Sequence, residues 1–385
     1  MNFDPPEEHQ LLRDSVRRFF ERELPETRIR EMDRERRIPR EIWKRFAELG
    51  WAGLSVPEAY GGSGGDVLTG AVFCEELSRQ FPSLAMDWLL LSMTARTFRE
   101  HGSPDQKAEY LPRLAQGEFI MAFGMTEPGG GTDVLGLTTR AGMQDNQWTV
   151  QGQKLFTSFA DDADAILVLC RTDPAPDGKR ARGLSLVLTP RHQPAVQVRR
   201  LELMGMRAGC TCEVFFDDAR APADAVVGEQ GRGWYHLLSS LDEERILAAA
   251  IYVGITASAL DLAVRYARDR HAFGRPIGAY QAVQHPLAEA ATELEQIRLL
   301  TFKAAWLQSN GRACSNEAAM AKLAATETAI RTTDRCMRVL GGYGLVEESP
   351  TERLFRDARL GPFSPISNEM VKNFLGERLG LPRSY

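Results

Sequence analysis

G-G-Y-G-L-V-E-E-S-P-T-E-R-L-F-R-D-A-R runs from Gly341 to Arg359 and is the most informative stretch of this 385-residue chain. Gly341 and Gly342 open the run without side chains. Glu352, Arg353, Arg356 and Asp357 follow in the same tight run. A second long run, A-F-G-M-T-E-P-G-G-G-T-D at Ala122 to Asp133, lies more than two hundred residues upstream. Its glycines allow backbone N–H groups to approach an anion. G-G-G at 129–131 is not a G-x-G-x-x-G pattern and lies in no strand–helix–strand unit, so it is not a dinucleotide fingerprint.

Outward from these runs the pattern changes twice. Leu11, Leu12, Val16, Phe19 and Phe20 recur at three- and four-residue spacing and predict an amphipathic helix over Glu8 to Glu23. Ile42 to Leu49 repeats the pattern, Pro57 to Gly65 reads as a loop, and helical spacing resumes at Leu68 to Gln80, Met86 to His101 and Pro104 to Ala115. From Gln147 the spacing suits strands, with Asp145-Asn146 as a turn and short apolar runs at Ala165 to Leu169, Leu184 to Leu188, Val196 to Leu203 and Cys212 to Phe216. Leu237 to Arg268, Tyr280 to Trp306 and Asn316 to Leu340 are long periodic stretches that predict a helical bundle. The expected fold is therefore α+β: a helical domain over 1–118, a β barrel or sandwich over 119–231, and a helical bundle over 232–385.

Composition is that of a soluble globular protein, with 43% hydrophobic and 26% charged residues. A net charge of −5 argues against a general nucleic-acid binder. The six cysteines show no disulfide framework, and the beginning M-N-F-D-P-P-E-E-H-Q carries no secretory pattern; a cytoplasmic location is expected. Cys210 and Cys212 form C-T-C, read as packing cysteines on a strand. No run of about eighteen apolar residues is apparent, so no membrane span is expected.

The two long runs closely resemble the acyl-CoA dehydrogenase family, and the resemblance extends over nearly the whole chain. G-Q-K-L-F-T-S at Gly152 to Ser158 is similar to the strand that stacks on the flavin, and R-H-A-F-G-R-P-I-G-A-Y-Q-A-V-Q-H-P-L-A-E at Arg270 to Glu289 to the turn and helix that hold a neighbouring subunit's cofactor. The resemblance implies a C-terminal four-helix bundle, FAD, an acyl-CoA substrate, an electron-transferring flavoprotein as acceptor, and a homotetramer or dimer. It implies that Phe123, Met125, Thr126, Phe156, Thr157 and Ser158 line or pack on the flavin ring, and that Arg270, Phe273 and Gln281 reach the adenine dinucleotide. Thr132, at a position usually held by Ser, serves cofactor and substrate. Arg338, Gly341, Gly342, Ser367 and Glu369 complete the cofactor set, Arg338 standing where Gln is usual.

The resemblance also bears on the base that removes an α-proton while a hydride leaves the β-carbon. The Glu that many members carry after R-D-A-R falls here on Pro365, within F-S-P-I-S-N-E. A subset of the family keeps the base on a bundle helix before an Arg; in L-D-E-E-R-I-L that residue is Glu244, with Arg245 positioning substrate or carboxylate and Glu243 as competitor. Proline has no N–H, so the thioester oxygen loses its usual donor: either Ile366 donates, or one donor is missing, or the enzyme is not a standard desaturase. An enoyl-CoA reductase, an acyl-CoA oxidase or flavin monooxygenase, and a non-catalytic scaffold are the alternatives.

Overall fold

The computed structural model describes residues 6–176 and 178–383. Six helices come first: α1 (Glu7–Glu23), α2 (Glu26–Glu35), α3 (Arg40–Glu48), α4 (Val67–Gln80), α5 (Pro82–His101) and α6 (Pro104–Ala115). Local chemistry sets their starts. Asp66 caps α4 by accepting from the Thr69 N–H at 2.8 Å. Ser103 and Gln106 form a reciprocal capping box on α6, with Pro104 in the first turn. Phe19, Phe46, Trp51, Phe73 and Trp88 meet edge-on or tilted and fill the core between these helices.

Seven strands follow: β1 (Met121–Gly124), β2 (Arg140–Gln144), β3 (Gln147–Ser158), β4 (Ala165–Arg171), β5 (Leu184–Pro190), β6 (Val196–Arg200) and β7 (Thr211–Pro222). They form one hydrogen-bonded sheet in the order β1-β4-β2-β3-β7-β6, with β5 beside β4. Asp145 and Asn146 both take positive φ in the two-residue turn between β2 and β3, as a type I′ hairpin requires. In β3 the register against β7 slips between Lys154 and Thr157. Three steps on β3 there match two on β7, the signature of a β-bulge. Phe156 lies in that bulge with φ 56° and is 58% exposed.

The helices then resume with α7 (Gly233–Leu238), α8 (Leu241–Asp269), the short hairpin β8 (His271–Ala272) and β9 (Arg275–Pro276), α9 (Gln281–Ser309), α10 (Ser315–Leu340), α11 (Pro350–Ala358) and α12 (Asn368–Arg378). α8 packs on α4, α9 and α10. By length and composition alone it could cross a membrane, but 83% of its apolar window is buried inside the molecule. A helix that is apolar all round is a core helix when neighbours cover it.

The charged half of the opening motif ties the three regions together. Arg353 is 3% exposed and makes two bonds to the Glu26 carboxylate, at 2.6 and 2.9 Å. Arg356 reaches Asp33 at 2.8 Å and the Met204 carbonyl at 3.1 Å, and Asp357 accepts from the Met206 N–H at 2.5 Å. Gly205 lies between these contacts, where an added Cβ would stand 2.2 Å from the Arg356 carbonyl oxygen. Gly205→Ala is expected to destabilise the protein by at least ~1–3 kcal/mol through overpacking, read as a lower melting temperature.

Candidate active site

The Gly-rich run after β1 is held by a buried ion pair that the sequence reading did not single out. Glu127 accepts from the Thr138 N–H (2.7 Å), the Thr139 N–H (2.9 Å) and Lys154 Nζ (2.9 Å). Lys154, fully buried in β3, also donates to the Met125 carbonyl at 3.0 Å. Burial alone would raise the Glu127 carboxyl; the Lys154 ammonium and the threonine donors outweigh it and hold the group at about 2. The Leu155 N–H donates to the Thr126 carbonyl at 2.8 Å. Phe123, Met125 and Thr126 are thereby fixed beside Phe156, Thr157 and Ser158.

These residues fit a flat aromatic cofactor. The Phe156 ring stands out of the bulge, and the neighbouring Thr157 hydroxyl is buried with no hydrogen-bond partner. A buried hydroxyl without a partner costs free energy unless another molecule satisfies it. Ser158 is half-buried, and Thr132 is exposed on the loop nearby. Cys210 and Cys212, both buried and unpaired, lie with the Asp161 carboxylate within 4.8 Å of one another.

Glu244 and Glu243 share the first turn of α8 but meet different surroundings, being about 100° apart around the helix. Glu243 is buried and its carboxylate is committed to Arg96 Nη1. It also lines a cavity of ≈ 290 Å³ with Ser55, Trp88, Ser92, Arg96 and Arg99. The Glu244 carboxyl makes no hydrogen bond or ion pair among the described residues. It keeps some solvent contact but is crowded by protein. Burial pushes it up to about 7, with the Arg245 guanidinium pulling the other way. Arg245 does not bond to Glu244; it pairs with Asp242 at 3.2 Å and lies over the Phe374 ring at 5.3 Å. A carboxyl poised near neutrality with no partner suits a general base.

The Phe374 contact places α12 beside this turn. The preceding loop carries Pro365, and Ser367 caps α12 by accepting from the Met370 N–H at 3.3 Å. Glu369 is exposed in the first turn of the helix.

The remaining candidates gather elsewhere. Arg270 caps the far end of α8, and Phe273, in the hairpin beyond it, is 96% exposed. Gln281 opens α9. Arg338, paired with Asp334 at 2.9 Å, and the exposed Gly341 and Gly342 end α10, where Tyr343 meets Tyr266 of α8 at 6.3 Å. Glu244 and Arg270 are separated by most of one continuous helix, ~39 Å at 1.5 Å per residue. One chain therefore carries two separate clusters.

Comparison with known proteins identifies the family of the fold. The chain matches the acyl-CoA dehydrogenase N-terminal domain over residues 6–118, the middle domain over 122–219 and the C-terminal domain over 231–380. It is 38% identical to the mitochondrial short-chain specific acyl-CoA dehydrogenase of Bos taurus over 92% of this chain and 86% of that one. This chain belongs to the acyl-CoA dehydrogenase family. An acyl-CoA dehydrogenase from Geobacillus kaustophilus superposes with a TM-score of 0.94 at 33% identity, covering 99% of this chain and 100% of that one. Acryloyl-CoA reductase (NADH) of Anaerotignum propionicum is 33% identical over 97% of this chain and 94% of its own length. The chain is thus an FAD-dependent oxidoreductase acting on the CH–CH bond of an acyl-CoA thioester, as in other acyl-CoA dehydrogenases.

Proposed function

We propose that Glu244 is the base that removes the α-proton of a bound acyl-CoA. FAD, held against Phe123, Met125, Thr126 and Phe156 to Ser158, supplies the acceptor for the β-hydride when bound. The observation that carries this reading is the Glu244 carboxyl itself: it has no partner, it is poised near neutrality, and it stands one residue from Arg245 at the α12 contact. Glu243 is unsuited, because its carboxylate is engaged by Arg96. Arg245, kept in place by Asp242 and Phe374, positions the substrate, and Thr132 contacts both substrate and cofactor. Ser367 and Glu369 contribute to the cofactor site from α12.

Arg270, Phe273, Gln281, Arg338, Gly341 and Gly342 hold the cofactor of a neighbouring subunit in a homotetramer or dimer. The length of α8 supports this, since its two ends are too far apart to serve one reacting centre. The electron acceptor is an electron-transferring flavoprotein, and the enzyme works in fatty-acyl metabolism in the cytoplasm, a reducing compartment suited to six buried free thiols.

Mixing the yellow protein anaerobically with a panel of acyl-CoA thioesters is expected to bleach the flavin absorbance with at least one of them, with slow recovery in air. Fast recovery in air assigns an oxidase, and a preparation that stays colourless with added FAD sinks the reading. A second reading, reduction of an enoyl-CoA, is favoured by the likeness to acryloyl-CoA reductase. It predicts reoxidation of the chemically reduced flavin by enoyl-CoA and no bleaching by the saturated thioester.

A further inference from the structure

Lys322 sits two turns into α10 and is fully buried. Its Nζ donates to the Ile366 carbonyl at 2.5 Å and to Asn368 Oδ1 at 2.7 Å. Asn368 is also fully buried, and its amide donates onward to Thr326 and Glu327. Burial brings the ammonium down to about 8, with Glu369 opposing and Arg245 adding repulsion. Ser315, at the start of α10, donates to Asp242 in the first turn of α8 at 2.5 Å, so the Lys322 part of α10 runs beside the Glu244 end of α8.

The loop over 360–367 presses on the bundle. A side chain at Gly361 would meet Thr326 Cβ at 2.8 Å and Tyr252 Cε1 at 3.0 Å. Within the loop, the N–H groups of Phe363 and Ser364 donate to the Leu360 carbonyl, and that of Asn368 to Pro362. The N–H groups of Ile366 and Ser367 donate to nothing among the described residues, although both residues are half-buried. In a trans peptide the carbonyl and the N–H point opposite ways. An Ile366 carbonyl turned toward Lys322 therefore turns the Ser367 N–H away from α10.

We propose that Lys322 is a positioning residue: by holding the Ile366 carbonyl against α10 it presents the free N–H groups of Ile366 and Ser367 to the thioester oxygen, replacing the donor that Pro365 lacks. The proposal rests on the acyl-CoA reading of the site and extends it by assigning the donors. Negative charge grows on that oxygen as Glu244 takes the α-proton, and fixed N–H groups stabilise such charge without rearranging.

The test uses the FAD-loaded enzyme and a trans-2-enoyl-CoA labelled with ¹³C at the carbonyl, of the chain length that bleaches the flavin fastest as the saturated thioester. Hydrogen bonding lowers the carbonyl stretching frequency, read by isotope-edited infrared difference. Wild type is expected to show a downshift. Lys322→Met should lose most of it and slow kcat on the order of 10²-fold, the size of losing an oxyanion donor, while KM changes little. Lys322→Arg should keep part of the shift, and Pro365→Ala, which restores an N–H at 365, should recover it in the Lys322→Met background. A downshift that survives Lys322→Met unchanged overturns the proposal. If Lys322→Met does not accumulate as yellow protein, replacing Ile366 and Ser367 with α-hydroxy acids deletes the two N–H groups alone, and an unaltered frequency there overturns it equally. An enzyme that bleaches normally but leaves the carbonyl unshifted sinks this proposal alone; one that no acyl-CoA bleaches sinks the functional reading as well.

Discussion

Glu244→Gln is expected to leave the protein yellow and folded while slowing substrate-dependent bleaching by about 10²–10⁴-fold, the range for removing a general base. The amide keeps the shape of the side chain and removes the proton acceptor. No ion pair is broken, because the Glu244 carboxyl has none among the described residues, so the melting temperature should barely move. Glu243→Gln should behave in the opposite way. It leaves Arg96 without its buried carboxylate partner, so stability falls while the bleaching rate holds. Stopped-flow absorbance and thermal melts on both variants separate the two residues; rate loss confined to Glu243→Gln would transfer the role to Glu243. The carboxyl must be ionised to accept a proton, and burial holds it at about 7. The wild-type kcat/KM should therefore rise as pH climbs through about 7 and level off above it, and this limb should vanish in Glu244→Gln.

The second large effect concerns Glu127 and Lys154. Glu127→Gln strands a fully buried ammonium, and breaking a buried pair from one side costs about 3–5 kcal/mol. The variant should melt early and lose FAD on gel filtration, because Lys154 also holds the Met125 carbonyl of the loop proposed to face the flavin. The double variant Glu127→Gln/Lys154→Met should regain much of the stability, since no charge is then left buried alone. The pair also sets an acid limit. The folded carboxyl lies near 2, below its unfolded value. Its contribution is complete above the unfolded value, and it is lost as pH falls through about 2. A double variant as unstable as Glu127→Gln would show that the charges are not coupled.

The order of helices, strands and helices was legible because long amphipathic spacing and short apolar runs survive in the sequence. Elements that lack such a pattern were not. α2 (E-T-R-I-R-E-M-D-R-E) has only Ile29 and Met32 as strongly apolar residues and is held by ion pairs to α11. β1 has four residues, leads straight into a Gly-rich loop, and owes its place to pairing with distant β4. α12 is short, and its cap, Ser367, hides behind Pro365.

Glu244 was legible through its register before Arg245, but the burial that tunes it was not, since α8 packs against helices distant in the chain. Lys154 and Lys322 looked like ordinary polar positions. Lys154 stands at an inward-facing site of β3, beside the bulge, and alternation along that strand is the signal that points to it. Lys322 has apolar neighbours on its own face of α10 at Ala318, Ala325 and Ala329, and helical spacing alone marks it as an odd charge in a core stripe.

The contacts of α11 have one more consequence. Arg353 and Arg356 find their carboxylates in the first fifth of the chain, while Asp357 takes its N–H from the middle region. No cut between the regions leaves these groups matched. Separating the regions strips Arg353 of Glu26 and Asp357 of the Met206 N–H, so the three parts are expected to melt together rather than in sequence.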